Sequence, residues 1–135
     1  ETIIANLGRG YRRGRKSMQA ARRSGEPEHF HDWRKRAKDL RYQLEMLEPR
    51  LSASFTELRK KAEELAEMLG DLHDFDVLAE DLQEREPRPS RESEKAIARA
   101  REETIGQCLE LGRKVYRQKP GSFEKQLISE LVVGS

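Results

Sequence analysis

Cysteine occurs once in the chain, at Cys108, so an intrachain disulfide is excluded, and a reducing, cytoplasmic setting is the expectation. The cysteine stands among apolar residues of a helical segment, where a buried structural thiol is expected. Aromatic residues make up only 6%, and no segment alternates Val, Ile and Thr as a strand would. That scarcity argues against sheet-based folds. No apolar run approaches the ~20 residues of a membrane-spanning helix, and no leader-like charged and apolar pair of regions is visible. A membrane is therefore not an expected partner. The chain opens on Glu1 rather than Met, which suggests a cut or processed N-terminus.

Charge is abundant instead, at 39% of residues against 35% hydrophobic, and mean hydropathy is −0.95. Such a composition borders on that of disordered chains. The apolar residues recur at helical spacing, however, and 135 residues fit one domain. The expected fold is all-α: an up-and-down antiparallel bundle of four long helices plus a short C-terminal helix, residues 1–135 forming a single domain. A first helix is predicted over about 2–23, with Ile4, Leu7, Tyr11, Met18 and Ala21 inward. Ser24-Gly25-Glu26-Pro27 stops it and starts the second, which ends before Pro49. The third helix begins near Ser52–Ser54, where Ser54 and Glu57 resemble a capping box. Its apolar stripe rotates after Gly70, which predicts a kink or break there, or a turn onto a different neighbour. Glu86-Pro87-Arg88-Pro89-Ser90 reads as a linker, with Ser90 capping a fourth helix over about 91–118. After Pro120-Gly121-Ser122 a last helix is predicted over about 123–132.

The positive charge is concentrated in the first part of the chain. Residues 1–50 carry 13 Lys/Arg against 7 Asp/Glu, a balance of +6, while the rest carry 14 against 18, a balance of −4. Within the basic part the most informative stretch is His31-Asp32-Trp33-Arg34-Lys35-Arg36-Ala37-Lys38-Asp39-Leu40-Arg41-Tyr42-Gln43-Leu44-Glu45. At about 100° per residue, His31, Arg34, Lys35, Lys38, Arg41, Tyr42 and Glu45 share one arc of roughly 120°. Phe30, Trp33, Ala37, Leu40, Leu44 and Leu47 form a separate apolar stripe. Like charges at this spacing repel by a few tenths of a kcal/mol per pair, so the arc calls for an anion. Arg forks match phosphate oxygens, and Lys adds mobile point charges. His31, at the N-terminal end of the arc, is read as an anion contact. The first helix carries a second row, Arg9, Arg12, Arg13, Lys16 and Arg23. A short turn makes the two helices antiparallel neighbours, so the two rows are expected to flank a shared groove. The ordinary alternative is a solvated face quenched by Glu45 and acids of another helix.

A second cluster, Leu69-Gly70-Asp71-Leu72-His73-Asp74-Phe75-Asp76-Val77-Leu78, sets Asp71 and Asp74 on one face. Carboxylates suit Mg²⁺, but these acids are expected to pair with arginines of a neighbouring helix, and His73 is expected to be a buried or bridging structural residue. No metal and no cofactor are assigned. Lys95, Arg99, Arg113 and Arg117 fall near one face of the fourth helix and are read as solvent-facing.

Taken together, the two stretches resemble the second signature of CHAD domains, the conserved histidine α-helical domains, and the segment that follows it. The upstream basic helix with Tyr11, Arg12, Arg15 and Met18 fits the same family. The resemblance covers residues 1–85 well and the remainder loosely. It implies a helical domain without catalytic activity of its own that binds inorganic polyphosphate through basic residues, in the cytoplasm and in association with polyphosphate granules. Carried over, it nominates His31, Arg34, Lys35, Lys38 and Arg41, with Arg12, Arg13 and Lys16 as additions and Tyr42 beside them. The family's full domain is about twice this length, with two similar bundles and a signature in each. One signature is present here, so the expected alternatives are a fragment of a longer chain, one lobe standing alone, or two copies that pair to rebuild the full groove, and the homodimer is preferred.

Three rival functions remain, one of them a plain helical interaction module, which an anion titration separates. Nucleic-acid binding shares the charge term but wants base-edge readout or exposed stacking aromatics, and Tyr42 alone is thin support. A phosphohydrolase needs a metal cluster or an activated nucleophile, toward which only Asp71, Asp74 and His73 point. The polyanion reading would be lost if Arg34, Lys38 and Arg41 were each tied to an internal carboxylate.

Overall fold

A computed structural model describes residues 2–133, with side chains described for 3–131. The described residues form five α-helices and no strand: α1 (Thr2–Ser24), α2 (Pro27–Leu47), α3 (Ala53–Glu84), α4 (Arg91–Val115) and α5 (Pro120–Val133), with one 3-10 turn at Glu48–Arg50. The fold is the expected all-α bundle. In it α2 packs between α1 and α3, α3 continues onto α4, and α5 closes against α1.

Each boundary has a local cause. Gly25 takes φ +67°, a left-handed conformation open to glycine at little cost, and its N–H donates to the Ala21 carbonyl. Pro27 then occupies the first turn of α2, where its missing N–H costs nothing. Ser90 caps α4 as expected, its hydroxyl accepting from the Ser93 N–H at 3.1 Å.

Three local expectations are corrected, and at Gly70 the second of the two expected alternatives holds. The residue before α3 is Ser52, not Ser54, and it makes no side-chain cap bond. Its N–H instead donates to Glu130 of α5 at 2.8 Å. Helix α3 is unbroken through Gly70; the rotated stripe is the same helix turning onto α4, where Ala79 and Leu82 line a cavity with Ile97 and Ala98. Helix α4 ends at Val115, short of residue 118. Finally, Pro120 opens α5 rather than breaking the chain before it.

The core holds Leu7 and Tyr11 of α1, Trp33, Leu40 and Leu44 of α2, Leu65, Leu69 and Leu72 of α3, Cys108 and Val115 of α4, and Phe123 and Leu127 of α5. Burial of each large side chain contributes about 1.5–3 kcal/mol. The buried polar tips are matched: the Trp33 indole N–H donates to the Tyr116 hydroxyl at 3.3 Å, and Tyr11 donates to the Gln118 carbonyl at 2.8 Å. Glycine is required at position 112, because a Cβ there would lie 2.6 Å from both Met18 Sδ and Trp33 Cζ2. Cys108 is buried as expected, and burial pushes its thiol up to about 12.

Candidate functional site

The apolar stripe of α2 fixes where its cations can go. With Trp33, Ala37, Leu40 and Leu44 fully buried, the arc from His31 to Glu45 must emerge at one flank of the helix. The contacts show that this flank borders α3. The His31 ring lies 5.4 Å, centroid to centroid, from the His73 ring of α3. The Arg34 guanidinium lies over Gly70, whose absent side chain leaves it room: a Cβ there would stand 3.4 Å from Arg34 Nη2. Arg41 Nη2 reaches Glu63 of α3 at 3.6 Å. Counting from Ser52 in the turn, His31 and His73 stand about 21 residues to either side, Arg34 and Gly70 about 18, and Arg41 and Glu63 about 11, the constant register of an antiparallel helix pair.

The expected groove between α1 and α2 is not what forms. The flank of α2 facing α1 carries Gln43, which approaches Gly10 so closely that a Cβ there would meet Gln43 Oε1 at 2.9 Å. On α1 the basic row turns away from α2. Arg12 pairs with Glu124 of α5 at 3.2 Å, Arg9 bonds Asn6 on its own helix, and Arg13 and Lys16 are exposed and make no ion pair among the described residues. The physical reason is the angle between stripe and row: burying Leu7, Tyr11 and Ala21 points the row at solvent and at α5. Residues 9, 12, 13 and 16 therefore do not join the α2 row.

Along the α2–α3 seam the two ends differ in charge. Toward the turn, Arg41 Nε donates to Glu45 at 3.0 Å, and Arg59 bonds Glu48 at 3.0 Å and Glu63 at 2.9 Å. The Glu45 hydrogen bond is the main reason Arg41 is held more firmly in its charged form, and Glu48 does the same for Arg59. The Arg41 guanidinium carbon also lies 5.4 Å from the centroid of the exposed Tyr42 ring. Toward the other end, Arg34, Lys35 and Lys38 make no ion pair among the described residues. Arg34 is half-buried, and its Nε is enclosed with no hydrogen-bond partner. Of the three cations on which the reading depended, Arg41 is quenched while Arg34 and Lys38 are open.

The acidic cluster is divided by α3 itself. Of the buried and bridging structural roles expected for His73, the bridging one fits: His73 is exposed and faces α2, its ring beside that of His31. Asp71 and Asp74 line a cavity on the α4 side with Phe75, Thr104 and Gln107, and neither pairs with an arginine, contrary to expectation. Asp76 does so, bonding Arg101 of α4 at 2.5 Å. Among the described residues no group of three or more His, Cys, Asp or Glu is arranged to hold a metal ion.

Sequence reasoning missed three participants. Gly70 and Glu63 could have been found by folding α2 against α3 about the short turn at residues 48–52. Arg59 carries no signal without its two acids. Among the described residues no helix is long and apolar enough to cross a membrane.

A search of curated proteins and of solved structures found no match to this chain. A family match does exist, described as "CHAD domain", and it covers residues 1–83, the span that contains α1, α2 and nearly all of α3, with both faces of the seam. Because the matched span is more than half of the chain, the protein belongs to the CHAD-domain family, a family associated with polyphosphate binding.

Proposed function

We propose that this protein is a noncatalytic binder of inorganic polyphosphate, and that the open end of the α2–α3 seam is its contact surface. The observation that carries the proposal is Arg34, a half-buried guanidinium held over Gly70 with no carboxylate beside it. The Arg34 Nη atoms, unlike its Nε, are not enclosed and make no ion pair among the described residues, so they can donate charge-assisted hydrogen bonds to phosphate oxygens. Lys35, Lys38, His31 and His73 extend the same surface at intervals of about one helical turn, ~5–6 Å. A run of linked phosphates can follow such intervals.

Arg41 and Tyr42 flank this surface rather than form its centre, since Glu45 and Glu63 already hold Arg41. Arg9, Arg12, Arg13 and Lys16 contribute at long range only. A second copy of the chain, placing another open end beside the first, would supply the second bundle of the family's full domain. Light scattering with and without polyphosphate tests that pairing, and a monomer in both states removes it.

The experiment for the main proposal is a titration with long-chain polyphosphate at two salt concentrations, with RNA and DNA of equal charge as competitors. Binding should weaken steeply with salt as counterions are released, and polyphosphate should compete best. Free phosphate should not appear in the presence of Mg²⁺. Equal competition by nucleic acid, or phosphate release, would replace the proposal with one of its rivals.

A further inference from the structure

A second basic site lies on the opposite flank of α3, away from the α2 seam. A cavity of about 440 Å³ opens where the start of α3 meets the end of α4 and the middle of α5. Its cations are Lys61, Lys114 and Arg117, and its apolar wall is Phe55, Leu58 and Val115. None of the three cations makes an ion pair among the described residues. The acids nearby are already engaged. Glu57, at the rim, stands 3.6 Å from Lys60, and Glu130 accepts from the Ser52 N–H and from Gln126.

Two features give this cavity a character different from the seam. First, it is concave and half apolar, with Tyr11 at its floor stacked on Phe123 at 4.0 Å between ring centroids. An extended polyanion with no apolar part leaves such a wall unused, whereas a small ligand that buries its body in a concave site gains from it. Second, Lys114, Val115, Arg117 and Gln126 lie outside residues 1–83, so the cavity belongs to this chain's C-terminal helices and not to the matched segment alone. Arg117, read from sequence as solvent-facing, is one of its cations. Both Arg117 and Arg15 act electrostatically on the Tyr11 hydroxyl, opposing the burial that raises it.

We propose that this cavity binds a small organic phosphate, its anionic group against Lys61, Lys114 and Arg117 and its apolar body against Phe55, Leu58 and Val115. The site is independent of the polyphosphate surface, so either proposal can fail while the other stands. The probes are 2-naphthyl phosphate, inorganic phosphate and 2-naphthol, titrated calorimetrically into the full chain. Naphthyl phosphate should bind at least about tenfold more tightly than either fragment. The exposed positions of Lys114 and Arg117 make Lys114→Ala with Arg117→Ala a variant that keeps its fold, checked by circular dichroism, and it should lose about tenfold in naphthyl phosphate affinity. Leu58→Glu should lose as much by placing an acid on the apolar wall. Arg34→Ala, which weakens the separate polyphosphate surface, should leave naphthyl phosphate affinity unchanged. The proposal is overturned if naphthyl phosphate binds no better than phosphate alone, if it does not bind up to millimolar concentration, or if Arg34→Ala weakens it as much as the cavity variants do.

Discussion

The two ends of the α2–α3 seam draw on the same kind of residue, yet only one keeps its cations out of ion pairs among the described residues. Near the turn, Arg41 and Arg59 face Glu45, Glu48 and Glu63 and are tied up within the fold. Beyond the middle of the seam, Arg34 meets a glycine and His31 meets another histidine, so the charge stays available. What separates them is the partner helix. An arginine opposite glutamate ties two helices together, and an arginine opposite glycine keeps its charge unpaired among the described residues.

Changes that break or sharpen this contrast differ widely in size. The largest affects both ends at once. Burial holds Tyr11 up at about 12 from 10.0, and Cys108 up at about 12 from 9.0. The folded chain thus keeps protons that the unfolded chain releases, so stability is full below about pH 9 and falls as pH rises toward 12. Thermal melts across that range should show Tm dropping, and the two ends should be compared below it. Next in size is Gly70→Glu, which places a carboxylate on the open end beside Arg34. Polyphosphate affinity should fall about tenfold, with the helix unharmed because Glu is a good helix former. The converse change, Glu63→Gln, takes one of two carboxylates from each of Arg41 and Arg59 at the closed end and leaves Glu45 and Glu48 in place. It should tighten polyphosphate binding by about threefold at low salt, an advantage that salt removes. The smallest effect is Gly70→Ala. Its Cβ would meet Arg34 Nη2 at 3.4 Å, an ordinary contact with a flexible tip. Stability should rise by about 0.5–1 kcal/mol, with affinity unchanged in titration.

Much of this architecture was legible in the chain. The stripe from Phe30 to Leu47 fixed the buried side of α2, and Gly25 with Pro27, and Ser90, marked boundaries that the fold keeps. The segregated arc from His31 to Glu45 was also readable as a single-sign face. The neighbour of that face was not. A helical wheel gives the angle between a cation row and its own stripe but not which adjacent helix closes over it. The row on α2 therefore turned out to face α3, and the row on α1 to face α5 through Arg12 and Glu124. For Arg41 the nearer partner, Glu45, was readable four residues on, while Glu63 was hidden by its distance in sequence. The cluster around His73 was misread because its residues are adjacent in sequence but radiate around α3, so that His73 and Asp74 serve different neighbours. The basic cavity was invisible because it joins Lys61 of α3 to Lys114 of α4 and to Arg117 in the turn before α5.

The most direct test compares two double variants that remove equal charge, Arg34→Ala with Lys38→Ala against Arg41→Ala with Arg59→Ala, in parallel polyphosphate titrations at fixed salt. The account predicts about a 100-fold loss for the first pair, from two contacts of at least ~1.5 kcal/mol each, and less than about threefold for the second, whose cations are already engaged. Equal losses in the two pairs would contradict it, because net charge alone would then explain binding and the difference between the ends would carry no function.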